Sequence, residues 1–242
     1  MRHVLGIACV AFVTGCFSLV SAQTPPAEKL TFEIEWRLIR AGVAVLETKP
    51  GEARVKLDSA GLVSALFKVD DTYTVRYEPP YCATSSLLDA QEGKRHRETA
   101  ITFDRSLGRT TFRLRDVTKN TMLRTEQTAI PSCVHDIIGA IQTMRSLSLE
   151  PGQATQLPIS DGRKSAQVRV EAQEREEIQT PAGKFKTIRY EASLFNGVIY
   201  TRKGRAFIWL TDDARKLPVQ MRLRMSFPLG NVSLLLEKEE RP

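Results

Sequence analysis

The sequence predicts an all-β chain, mainly antiparallel, folded as one large curved sheet, a half-barrel or β-spiral, that wraps a single α-helix at about residues 133–149. Three observations carry this expectation. Apolar and polar residues alternate with period two through most of the chain, the pattern of strands with one buried face. Glycine, proline and charged clusters interrupt that alternation at short intervals, as turns do. One stretch alone changes to the helical period: Val134, Ile137, Ile138, Ile141 and Met144 fall on one stripe. Roughly a dozen strands are too many for one flat sheet, so the sheet should curl, with the helix as its natural plug.

In chain order, Phe32, Ile34, Trp36 and Leu38 point one way from a strand that begins at Leu30, Ala41-Gly42 interrupts as a turn or bulge, and Val43 and Val45 resume. Residues 53–60 form a further strand, whereas 61–67 are apolar at consecutive positions and fit either one or two helical turns or a buried edge. Residues 72–77 alternate until Pro79-Pro80 stops them. Residues 84–90 and 96–104 read as a hairpin, 109–117 as a strand, 116–120 as a turn and 121–128 as a short polar strand. The helix follows, with Ser132 as N-cap, Asp136 in its first turn, Arg145 near its end, and Gly139 and Ala140 small enough for close packing. Pro151-Gly152 stops it. Strands return at 167–172, 174–180 and 184–192, with a turn at Pro181-Ala182-Gly183. Residues 198–202 and 205–210 are expected to pair across Lys203-Gly204, and 212–216 is a charged turn. Met221, Leu223, Met225 and Phe227 alternate with Gln220, Arg222 and Arg224; 232–236 is the last strand and 237–242 a polar tail.

Residues 1–22 read as an export signal: Arg2 and His3, an apolar run over 4–20, and Val20-Ser21-Ala22 before a cleavage at Gln23. Residues 23–29 are an extended leader and 30–242 a single β-rich domain. An uncleaved anchor helix is one alternative. A lipoprotein acylated at Cys16 is another, since Val13-Thr14-Gly15-Cys16 resembles a lipobox, although Phe17, Leu19 and Val20 continue the apolar run beyond it. All three place the domain outside the cytoplasm, in a bacterium in the periplasm or its membranes. Cys9 and Cys16 lie in the signal, which leaves Cys82 and Cys133 to pair in an oxidising compartment. A catalytic thiol at Cys133 beside His135 is the weaker reading, because residues two apart on a helix face different directions.

The net charge of +7 falls to +6 without Arg2, a modest excess with no aromatic-plus-basic motif for nucleic acid. There is no glycine-rich phosphate loop and no G-x-S-x-G elbow. His96 and His135 sit in separate elements with no zinc spacing, and Asp212-Asp213 and Glu176-Glu177 are neighbours whose side chains diverge. No catalytic residue, metal or cofactor is therefore assigned, and a monomer is expected. An inward apolar face supplies a candidate ligand lining at Ile138, Ile141, Met144, Trp209, Met221 and Met225. Polar strand faces supply candidate anionic-surface contacts at Arg113, Arg115, Arg222 and Arg224.

Two stretches, TPAGKFKT at 180–187 and FIWLTDDARKLPV at 207–219, resemble the family called domain of unknown function 3108, exported proteins of bacteria. Trp36 with Ala41-Gly42, and residues 136–145, sit where the other marks of that family are expected. The resemblance spans most of the mature chain, rests on turn and packing residues, and implies an all-β envelope protein without an established activity. More remotely, the plan is similar to periplasmic lipoprotein carriers and β-spiral envelope-integrity proteins, an analogy of fold that carries no function. The expected function is a carrier or binder of a hydrophobic envelope molecule such as a lipid acyl chain. The alternative is a scaffold whose basic strand faces meet lipopolysaccharide, peptidoglycan or another protein. Whether the helix fills the sheet or leaves space beside it separates the two.

Overall fold

The period-two segments become strands of a single antiparallel sheet in the computed structural model, which describes residues 27–226 and 230–241. The export signal, the lipobox and Cys9 and Cys16 lie outside the described residues. The N-terminal strands are β1 (Glu28–Trp36), β2 (Ile39–Lys49), β3 (Glu52–Ser59), β4 (Val69–Glu78), β5 (Cys82–Glu92), β6 (Arg95–Asp104), β7 (Arg109–Asp116) and β8 (Thr121–Ala129). The C-terminal strands are β9 (Ala154–Ser160), β10 (Ser165–Thr180), β11 (Gly183–Ala192), β12 (Gly204–Thr211), β13 (Pro218–Met225) and β14 (Asn231–Glu240). Two helices interrupt them, α1 (Gly61–Leu66) and α2 (Ile137–Ser146).

The order across the sheet is β8 to β1 in reverse sequence, then β14 down to β9. Two meanders therefore meet where the first strand pairs with the last, and β8 and β9 are unclosed edges. The connection from one edge to the other, residues 130–153, carries α2 along the inner face of the sheet. On one side Val134 and Ile138 pack with Leu30, Phe32, Phe103 and Phe112 of the N-terminal half. On the other, Ala140 and Met144 pack with Val170, Tyr190, Ile208 and other residues of the C-terminal half.

Several boundaries differ from the sequence expectation, each for a local reason. Glu28 and Lys29, read as leader, already belong to β1. The β1–β2 turn falls at Arg37 and Leu38, both with positive φ (51° and 67°), so β1 ends two residues before its alternation does. Ala41 forms a bulge, with Ile34 opposite Gly42 but Glu35 opposite Arg40. Gly42 is required there, because a Cβ would sit 2.3 Å from the Asp58 carbonyl oxygen on β3. Residues 61–67 resolve as one short helix, α1, followed by Phe67.

The central helix is shorter than expected and its cap is Asp136, not Ser132. Residues 133–135 are held extended instead. Cys133 is joined to Cys82, the Val134 carbonyl accepts from the Ala83 N–H at 2.9 Å, and His135 pairs with Ile159 in an isolated parallel bridge. Strand β9, absent from the sequence reading, contains Pro158, which an edge strand tolerates. Residues 165–180 are one long strand with a bulge between Ala172 and Arg175, rather than two strands. The expected hairpin across Lys203-Gly204 does not form: 193–203 is a loop, and β12 pairs directly with β11. The polar tail is in fact the second half of β14, which reaches Glu240 opposite Lys29.

Candidate functional site: a cavity beside the central helix

Helix α2 is fixed at both ends. Asp136, buried at the N-cap, accepts from the Gly139 N–H through Oδ1 (2.8 Å) and from the Ile138 N–H through Oδ2 (3.1 Å). Its Oδ2 also accepts from the Tyr73 hydroxyl of β4 at 2.9 Å. Burial raises the Asp136 carboxyl above its ordinary value, and these three hydrogen bonds oppose that rise. The helix sits close to the N-terminal half, because a Cβ on Gly139 would come within 2.9 Å of the Tyr77 ring and 3.0 Å of the Tyr81 carbonyl oxygen. At the other end Arg145 forms a buried ion pair with Glu28 of β1, including an Nη2–Oε2 contact of 3.1 Å. The disulfide pins the segment leading into the helix.

The far side of α2 is not filled. A cavity of about 620 Å³ lies between the start of the helix, the 193–203 loop and β13. Its apolar lining comes chiefly from Leu194, Phe195, Ile199, Leu223 and Met225. A smaller space of about 110 Å³ adjoins it, sharing Ile137, Leu194 and Leu223 and reaching Ile141, Met144 and Met221. The smaller space has a sequence cause. Ala192 and Ala206 stand directly opposite one another on β11 and β12, and Ala140 faces them from the helix, so three small side chains meet where large ones would close the gap. The loop roofs the larger cavity through its own apolar residues, held by the Ile199 and Tyr200 N–H groups donating to the Leu194 carbonyl at 2.9 Å.

Two cations stand at the cavity. Arg163, on the β9–β10 turn, pairs with Asp161 at 3.3 Å and lies over the Phe112 ring. Arg202 is exposed and makes no ion pair among the described residues. The arrangement is apolar with cationic side chains at its margin. It contains no nucleophile, base and orienting group in mutual reach. His135 is buried, with Nδ1 donating to the Tyr81 carbonyl at 2.8 Å, and His96 lies on Asp89 at 2.6 Å in the β5–β6 hairpin. Among the described residues no group of three His, Cys, Asp or Glu side chains gathers as metal ligands.

Four of the six lining residues expected from sequence reach this space: Ile141, Met144 and Met221 in the smaller part, Met225 in the larger. Ile138 and Trp209 do not. Ile138 turns to the packed N-terminal side. Trp209 alternates with Ile208 and Leu210 and so lies on the outer face, opposite Arg189 and Gln220. There its Nε1 donates to Glu176 at 2.7 Å, beneath the tip of the β10–β11 hairpin, whose Ala182 N–H reaches the Leu236 carbonyl at 3.0 Å.

The four arginines proposed for an anionic surface do not form one. Arg113 and Arg115 are on β7, and Arg222 and Arg224 are eight strand positions away on β13, roughly 40 Å along the sheet. Arg115 is engaged by Glu98 and Asn120. Arg222 and Arg224 lie over the Trp209 and Phe207 rings at 5.3 and 5.1 Å, so they serve to cover the outer aromatic layer. The residues missed by sequence reasoning are Ile137, Leu194, Phe195, Ile199 and Leu223; three of them sit in the 193–203 loop, of which 198–202 is expected from sequence to be a strand. Asn196-Gly197, both at positive φ, was the available turn signal.

Compared with solved structures, the chain is similar to a β-barrel-like protein of domain of unknown function DUF1849 from Brucella abortus, with a TM-score of 0.58 and 8% identity over 90% of this chain and 98% of that one. At that identity the likeness concerns the fold. A DUF1089 family protein from Pseudomonas aeruginosa matches 76% of this chain and 90% of its own at 13% identity and a TM-score of 0.41. A candidate exported protein with a YmcC-like fold from Bacteroides fragilis matches 90% and 97% at 9% identity and a TM-score of 0.33. These two lie too low to carry an argument. No curated protein matches the chain. The model of the family described as "Protein of unknown function (DUF3108)" matches residues 31–237, most of the chain, and the protein belongs to that family.

Proposed function

We propose that this chain is a non-catalytic protein of the bacterial cell envelope that binds an amphiphile with an apolar chain and an anionic head. The carrying observation is the apolar cavity of about 620 Å³ beside α2, in the size range of small-molecule sites, with Arg202 at its margin. Export is supported by the signal-like residues 1–22 and by the Cys82–Cys133 disulfide, since such bonds persist in oxidising compartments. The apolar chain lies along Leu223 and Met225, extends toward Met221 and Met144, and leaves its head near Arg202.

Native mass spectrometry of the protein purified from an envelope fraction tests this directly, together with displacement of a fluorescent fatty acid. Each added methylene should tighten binding about fourfold until the cavity is full, from roughly 0.8 kcal/mol per buried CH₂. Leu223→Trp should abolish uptake, and Arg202→Glu should weaken a fatty acid more than the matching neutral alcohol. A protein that carries no amphiphile and shows no saturable uptake overturns the reading.

A further inference from the structure

Consecutive turns of an antiparallel meander alternate between the two ends of the sheet, so each end can be read as a unit. One end carries the connections 37–38, 60–68, 93–94, 117–120, 161–164 and 193–203. Nine large apolar side chains are exposed among the described residues, and seven stand at this end: Leu38 and Ile39, then Leu62, Leu66 and Phe67, then Met122 and Leu123 where β8 begins. Leu62 and Leu66 are one helical turn apart on α1, which has no buried residue, and are 72% and 86% exposed. The Ala60 N–H donates to the Ala41 carbonyl at 2.8 Å, which seats α1 beside the Leu38–Ile39 turn. Phe67 lies against Gly93 of the next turn, the residue before Lys94.

The charge is equally one-sided. The first four of these connections contribute Arg37, Lys68, Lys94 and Lys119; the 161–164 and 193–203 connections add Arg163, Lys164, Arg202 and Lys203. Within the connections themselves one acid, Asp161, stands against these eight cations, and Asp58, Asp70, Glu92 and Asp116 flank them at the strand ends. The five turns at the opposite end hold three cations and two acids, and one exposed large apolar residue, Leu107.

We propose that this end of the sheet docks on an anionic phospholipid bilayer, with Leu62, Leu66 and Phe67 in the interface and the surrounding lysines at the head-group phosphates. Aliphatic tips spread over several turns and separated by cations fit a lipid interface, where each group takes its own depth. A protein interface concentrates its apolar contact and is depleted in lysine, yet five of the eight cations here are lysine. The cavity beside α2 is lined by the 193–203 loop, Arg163 and Met225, all at this same end, so docking would turn its margin toward the lipid. That last consequence rests on the proposed ligand; docking itself does not.

Flotation of the purified protein with vesicles tests it. Vesicles of phosphatidylglycerol and phosphatidylcholine in equal parts should retain the protein, pure phosphatidylcholine should retain little, and added salt should release it. Lys68→Glu with Lys94→Glu should weaken retention at least about 25-fold, from roughly fivefold per charge lost near the surface. Leu62→Asp with Leu66→Asp should reduce it at least tenfold with an unchanged melting temperature, and Leu107→Asp at the opposite end should leave it unaltered. Absence of vesicle binding, equal binding to both vesicle types, or retention by the leucine variant overturns the proposal. Lost fatty-acid uptake with intact flotation refutes the cavity reading alone; lost flotation with intact uptake refutes docking alone.

Discussion

The two sides of α2 differ in what occupies them. Toward the N-terminal half the inner face presents Phe32, Tyr73, Tyr77, Phe103 and Phe112, and the helix is tied there by Asp136, Gly139 and the segment of the disulfide. Toward the C-terminal half it meets Ala192, Ala206, Met221 and Leu223, and space remains. One side supplies the seat and the other the room. A helix held covalently and by a buried polar cap does not need full packing on its second face, so a ligand-sized void is compatible with a stable fold.

The largest expected effect comes from loosening the seat. Cys82→Ser with Cys133→Ser opens a loop spanning 51 positions, and chain entropy predicts a loss of about 4 kcal/mol, measured by denaturant unfolding with and without reductant. Asp136→Ala removes the cap and the carboxylate that accepts from the buried Tyr73 hydroxyl, for about 2–3 kcal/mol in the same measurement. A matched pair then compares the sides: Ala44→Leu in the packed N-terminal half should cost about 1–3 kcal/mol, whereas Ala206→Leu should cost less than about 1 kcal/mol while lowering fatty-acid uptake. If Ala206→Leu proves as costly as Ala44→Leu, the two sides are equally packed and the comparison fails.

The smallest effect is a pH slope. Burial raises the Asp136 carboxyl, so the folded chain keeps this proton to higher pH than the unfolded chain does. Between the unfolded value of about 4 and the folded value, this group's contribution to stability falls as pH rises; above the folded value it is level. Asp136→Asn cannot titrate, so the stability difference between wild type and variant should decline across that window. A difference that stays constant shows that the carboxyl is not held as described.

Much of this was legible in the residues, and the failures have physical causes. Alternation revealed most strands because their two faces meet different surroundings, and Met221 and Met225 were recognisable because they alternate with arginines. Strand β12 gave no such contrast. Every residue from Ala206 to Thr211 is buried, since the α2 side covers one face and the β10–β11 hairpin the other, so the orientation of Trp209 was invisible to periodicity. The helix start was misplaced because a long-range disulfide and a bridge to Ile159 outcompete the local preference of residues 133–135. The Arg37–Leu38 turn has neither glycine nor asparagine to mark it. The alanines that leave the smaller space beside the helix were in view, but a small residue announces space only once its neighbours are known.

The pairing of β1 with β14 makes the middle of the sheet depend on two strands far apart in sequence. β1 sits in the interior of the sheet, and its second partner is residues 231–240. Without β14, β1 and β13 would both offer unpaired backbone edges, one on an eight-stranded half and one on a five-stranded half. Loss of β14 therefore removes the seam between two halves rather than a strand at the margin, and it opens two sticky edges to which another chain can add.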